Sequence, residues 1–69
     1  MENISNSIYK IKTASGSGSG FYLANYNVFV TNYHVVEGHH NVAIEDQNLN
    51  TFTAKVVLVN PEEDIAILT

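Results

Sequence analysis

The sequence predicts an all-β domain of six short strands. Two observations carry that expectation. The apolar residues fall in short runs rich in β-branched and aromatic side chains, and turn chemistry separates the runs at roughly 8–12-residue spacing. A third observation is negative: no apolar period of 3.6 residues persists long enough to make a long helix. Six such strands fit a sandwich or a small barrel.

Each element has its own reason. Residues 7–14 hold Ile8, Tyr9 and Ile11 beside Lys10 and Lys12, which reads as a strand with one wet face. Residues 15–20 alternate serine and glycine. A flexible linker is one reading. A tight bend with close backbone approach is the better one, because Phe21, Tyr22 and Leu23 follow at once. Residues 20–24 and 28–31 flank Asn25, Tyr26 and Asn27, a hairpin signal, since asparagine tolerates positive φ. Residues 32–38 read as a turn with room for one helical turn, and Gly38 is its natural stop. Residues 41–45 alternate as a strand, 46–50 form a loop, and 51–60 make the longest strand. Pro61 cannot join a ladder, so residues 60–63 turn and residues 64–69 form the sixth strand. The expected core is Ile11, Phe21, Leu23, Phe29, Val30, Val42, Ile44, Phe52, Val57, Ile65 and Ile67.

Sixty-nine residues allow one small domain over 1–69, with 1–6 expected as a flexible terminus. A domain of this size buries about 60% of its unfolded surface, and its core rarely supplies more than about 3–5 kcal/mol. With 45% hydrophobic and 14% charged residues the composition is globular. The chain has no cysteine, which excludes a disulfide framework and thiolate metal sites. Three lysines, no arginine and seven acids give a net charge of −4. Nucleic acid and anionic membrane surfaces both need a basic footprint, so neither partner is expected. The apolar runs fall far short of a membrane span. Residues 1–5 show no basic or apolar signal-peptide region, so the expected location is cytoplasmic, unless a targeting segment has been removed from the chain.

His34 and Asp64 are the candidate catalytic residues. His34 lies just past a strand in Thr31-Asn32-Tyr33-His34-Val35-Val36, and Asp64 opens Asp64-Ile65-Ala66-Ile67-Leu68. An imidazole backed by a carboxylate is a recurrent unit for general-base work, because the carboxylate fixes the tautomer and stabilises the imidazolium. Other clusters promise less. His39 and His40 are adjacent, and neighbours on an extended chain face opposite sides, so they are not expected to share a metal. Glu62 and Glu63 read as a wet turn. The 15–20 run lacks the lysine of a phosphate loop. Tyr9, Tyr22, Tyr26 and Tyr33 read as half-buried packing. No cofactor and no metal are expected.

Taken in order, Gly18-Ser19-Gly20-Phe21, Val30-Thr31-Asn32-Tyr33-His34-Val35-Val36-Glu37-Gly38, Ala54-Lys55-Val56-Val57 and Asp64-Ile65-Ala66-Ile67-Leu68 resemble the trypsin-like, chymotrypsin-fold serine proteases of the HtrA/Deg type. The resemblance spans residues 8–69. It implies a six-stranded antiparallel barrel, the N-terminal half of a two-barrel protease, with His34 as general base and Asp64 as its orienting acid. Tyr33 is a modest departure, standing where the HtrA/Deg pattern usually has Asn or Ala. A larger one is the nucleophile: the family's G-N-S-G-G or G-D-S-G-G block is not in this sequence. The resemblance places that serine, the oxyanion hole and the specificity pocket in a second barrel. The chain alone is therefore expected to be inactive. Its expected partners are a second barrel with a polypeptide substrate, or another copy of itself. The alternative is a non-catalytic half-barrel that serves interaction or self-association.

Overall fold

The structure is a computed structural model that describes residues 8–69. The terminus expected at 1–6 and the strand start at Ser7 lie outside the described residues. The elements are β1 (Ile8–Thr13), β2 (Gly16–Leu23), β3 (Val28–Thr31), α1 (Tyr33–Val36), β4 (Asn41–Glu45), β5 (Thr51–Asn60) and β6 (Ile65–Leu68). The strands close into a barrel in the order β1-β2-β3-β6-β5-β4, every pairing antiparallel. The barrel, not the sandwich, is the architecture. Closure removes the unpaired edges that would otherwise invite foreign strands. Among the described residues no helix is long and apolar enough to cross a membrane.

Pairing fixes which residues share a face. In β1, Ile11 points inward and is fully buried, while Lys10 and Lys12 stay exposed. Opposite them, β2 aligns Gly20, Gly18 and Gly16 with Tyr9, Ile11 and Thr13. The serine–glycine run is thus strand from Gly16 onward, and the turn sits at Ala14 and Ser15. This corrects the bend expected over 15–20. The physical reason is the alternation itself: every second residue is a glycine on the inner face, a period a strand can use. The expected close approach is real. A Cβ at Gly18 would lie 2.5 Å from Val35 Cγ2, and one at Gly20 would lie 2.8 Å from the Val30 carbonyl oxygen. Glycine lets α1 lie against β2 and lets β2 lie close to β3.

The core consists of Ile11, Val36, Val42, Ile44, Ala54, Ala66 and Leu68, with Tyr9, Phe29, Val35 and Val56 packed against it. Phe29 also stacks edge-on with Tyr9 at 5.1 Å and contacts Tyr22 and Phe52 at 4.8 and 5.9 Å between ring centres. Thr31, the buried polar residue among those described, donates to the Ser19 carbonyl at 2.7 Å. Four expected core residues are exposed instead: Phe21, Phe52, Val57 and Ile65. Val57 sits where the β5–β6 register shifts between Val56 and Leu58, a bulge that breaks the alternation. Ile65 lies on the outer face of β6, where Ala66 and Leu68 point inward.

The outer face carries an apolar row. Ile8 pairs with Phe21, Phe21 with Val30, Val30 with Ile67, and Ile67 with Leu58. Five strands contribute one residue each. Ile8, Phe21 and Leu58 are exposed, and Val30 and Ile67 are half-buried.

Candidate active site

β3 and β6 run antiparallel, with Thr31 opposite Ala66. The residues just beyond Thr31 and just before Ala66 therefore meet at one end of the barrel. α1 follows Thr31 and carries His34 as its second residue; the turn before β6 carries Asp64. The structure brings the two sequence-predicted residues together across thirty positions. His34 Nδ1 lies 2.8 Å from Asp64 Oδ2, and the His34 backbone N–H donates to Asp64 Oδ1, also at 2.8 Å. Both carboxylate oxygens are thus engaged by one residue. The other ring nitrogen, Nε2, has no hydrogen-bond partner among the described residues, and the His34 side chain is 69% exposed. A carboxylate only accepts, so the ring nitrogen facing it donates, and in that neutral tautomer the lone pair lies on Nε2.

Asp64 is not part of the strand it was expected to open; it is the last residue of the turn, at φ 58°. That is left-handed backbone, which costs a non-glycine residue on the order of 1 kcal/mol and which aspartate tolerates better than most. Its carboxyl is held below the ordinary aspartate range, first by the His34 backbone N–H, then by the His34 ring. A carboxyl lowered on folding adds stability above its unfolded pKa and loses it as pH falls through the folded value. The pair is therefore intact at neutral pH and weakens in acid.

Two further contacts were not anticipated. Asn32, between β3 and α1, donates its side-chain N–H to the Asp64 carbonyl at 3.2 Å. Ser15 Oγ lies 2.8 Å from His39 Nε2, which ties the β1–β2 turn to the segment after α1. Asn32 stands in the block that carries the resemblance, but neither contact can be read from the sequence, because each partner is set by the fold. Glu62 and Glu63 are exposed in the turn, as expected. Among the described residues no three of His, Asp or Glu converge as a metal site.

The trypsin-like peptidase domain matches residues 18–69. The chloroplastic Protease Do-like 1 of Arabidopsis thaliana is 38% identical over 58 residues, covering 84% of this chain and 13% of that protein. Serine protease HTRA1B of Danio rerio is 36% identical over 61 residues, covering 88% of this chain and 13% of that protein. Among solved structures, a human pathogenic astrovirus serine protease aligns with TM-score 0.81 at 34% identity, over 94% of this chain and 38% of its own. The inactive form of the Rv3671c protease of M. tuberculosis H37Rv aligns with TM-score 0.83 at 35% identity, over 96% of this chain and 32% of its own. The chain thus spans 13% of the length of these curated relatives.

Proposed function

The chain belongs to the trypsin-like peptidase family, and we propose that it supplies the N-terminal barrel of an HtrA/Deg-type serine endopeptidase, with His34 as general base and Asp64 as its orienting acid. The observation that carries the reading is the 2.8 Å contact between His34 Nδ1 and Asp64 Oδ2. In this reading a serine hydroxyl attacks the peptide carbonyl while Nε2 removes its proton. Asp64 keeps the proton on Nδ1 and stabilises the imidazolium that forms. The imidazolium then gives its proton to the leaving amine, and an acyl-serine remains for water to hydrolyse.

The serine and the oxyanion-hole amides belong, in this reading, to a second barrel outside these 69 residues. No G-N-S-G-G or G-D-S-G-G block is present, and Ser15 is bonded to His39 rather than to His34. The outer row from Ile8 to Leu58 supports a docking face for that barrel: it crosses β3 and β6, the strands that present the pair. A serine-reactive fluorophosphonate probe tests the assignment. The 69-residue chain alone is expected to take no label. A protein that extends it through a second barrel is expected to be labelled at a serine outside residues 1–69. Specific labelling of Ser5, Ser7, Ser15, Ser17 or Ser19 would overturn the external nucleophile.

The same row favours a second reading, a non-catalytic half-barrel that self-associates. Exposed apolar surface of this kind seeks cover, and a second copy is its simplest source. Light scattering on the 69-residue chain is then expected to show a dimer or larger species at micromolar concentration. A monomer with a cooperative melt would count against self-association.

A further inference from the structure

We infer that Asn32 is a positioning residue for the His34–Asp64 pair, holding Asp64 in its left-handed conformation through a hydrogen bond to the Asp64 carbonyl. The inference rests on the reading of that pair given above. Three observations support it. Asn32 occupies the N-cap position of α1, at φ −81° and ψ 143°, yet makes no side-chain cap bond. Asparagine is among the best N-cap residues. Here its amide is directed away from the helix, to the Asp64 carbonyl 3.2 Å away.

Secondly, Asp64 is a non-glycine residue at φ 58°, a conformation that persists only when its surroundings hold it. The peptide on its N-terminal side is pinned by the bond from Asp64 N–H to the Pro61 carbonyl, at 3.2 Å. Asn32 pins the peptide on the other side. Backbone rotation at Asp64 would swing the carboxylate away from His34, so fixing both flanking peptides fixes the carboxylate.

Thirdly, the two anchors come from one short segment. Asn32 grips the carbonyl end of Asp64, and His34, two residues on, grips both carboxylate oxygens through its backbone N–H and ring. The Asn32–x–His34 segment thus clasps a single aspartate at both ends. Any shift of α1 against the turn moves the clasp and the pair together, which keeps their geometry constant.

The test uses the 69-residue chain with Asn32→Ala and Asn32→Ser; serine is a good N-cap but too short to reach the carbonyl. NMR reads exchange of the His34 backbone amide and titration of the Asp64 and Asp46 carboxyls. Asp46 is an internal control, because its carboxyl is held low by the Asn50 and Asn48 backbone N–H groups and the Asn50 side chain. In both variants the His34 amide is expected to exchange about fivefold faster, the factor one lost hydrogen bond commands. Asp64 should titrate closer to an ordinary aspartate, in part because the Asn32 side chain itself helps hold that carboxyl low, while Asp46 stays put. The amide is the decisive readout, since Asn32 does not touch it. Unchanged exchange of the His34 amide in a folded variant, whether or not Asp64 titrates differently, would show that the turn alone holds Asp64 and would overturn the inference. Movement of Asp46 together with Asp64 in both variants would overturn it too, by making Asn32 a residue the whole barrel depends on. No peptide hydrolysis is read, so the protease assignment and this inference fail independently.

Discussion

Asp64→Asn, in a protease that carries this barrel, is expected to lower kcat about 10⁴-fold, the scale established for the orienting acid of this family. His34→Ala is expected to lower it about 10⁶-fold, as loss of a triad base does. The geometry explains why so small an exchange at position 64 costs so much. Both carboxylate oxygens act as acceptors, one from the His34 backbone N–H and one from the ring. Asparagine has a single carbonyl oxygen and an NH₂ group that only donates. If its oxygen keeps the backbone N–H, its NH₂ faces Nδ1. The ring must then present a lone pair at Nδ1 and carry its proton on Nε2, where the serine needs a base. The fold survives and the tautomer is wrong. KM should change little, because neither residue is assigned to substrate binding. The double variant should be no worse than His34→Ala alone, since residues acting as a unit do not lose rate additively. A kcat within tenfold of the parent for Asp64→Asn would remove Asp64 from its proposed role.

How much of this was legible in the sequence differs from element to element. β4 and β5 were legible to the residue, because Asn41–Glu45 alternates and Thr51–Asn60 is a β-branched run bounded by Asn50 and Pro61. The hairpin at residues 25–27 was legible because Asn27 takes the positive φ, 60°, that asparagine tolerates. The serine–glycine run was not, since its signal as a strand is the period of its glycines, and glycine is ordinarily evidence against a strand. Four of the seven buried core residues, Val36, Ala54, Ala66 and Leu68, were missed, two of them for a related reason. Ala54 and Ala66 are small, and only the pairing shows that the barrel interior needs small residues there. Val36 looked like part of a turn, yet α1 delivers it to the core at 1% exposure. At the site, His34 and Asp64 stood out from their flanking blocks. The Asn32 bond did not, because a three-dimensional contact across thirty-two positions leaves no local trace.

β6 gives the sharpest case, and a prediction about stability. Leu68→Ala is expected to unfold the 69-residue chain at room temperature, whereas Ile67→Ser is expected to leave it folded. Ile65, Ala66, Ile67 and Leu68 are all apolar, so alternation cannot say which face is inside, and the two isoleucines, bulkier together than Ala66 with Leu68, look like the core pair. The ladder decides otherwise: Leu68 lies opposite Phe29 and Val56 and is fully buried, while Ile67 lies opposite Val30 and Leu58 on the outer row. Truncating a buried leucine costs about 2–5 kcal/mol, more where the walls cannot collapse. Six mutually paired strands around a closed core have little room to collapse. A barrel of this size has only about 3–5 kcal/mol in total, so the loss is comparable to everything it has. Ile67→Ser removes outer apolar surface and should cost about 1 kcal/mol or less, while weakening whatever covers the row. Thermal melts followed by circular dichroism separate the two. If Ile67→Ser unfolds the chain and Leu68→Ala is tolerated, β6 is slipped by one residue, which would turn its entire side-chain set over. Asp64 would then also be displaced from His34, because the turn that carries it leads straight into this strand.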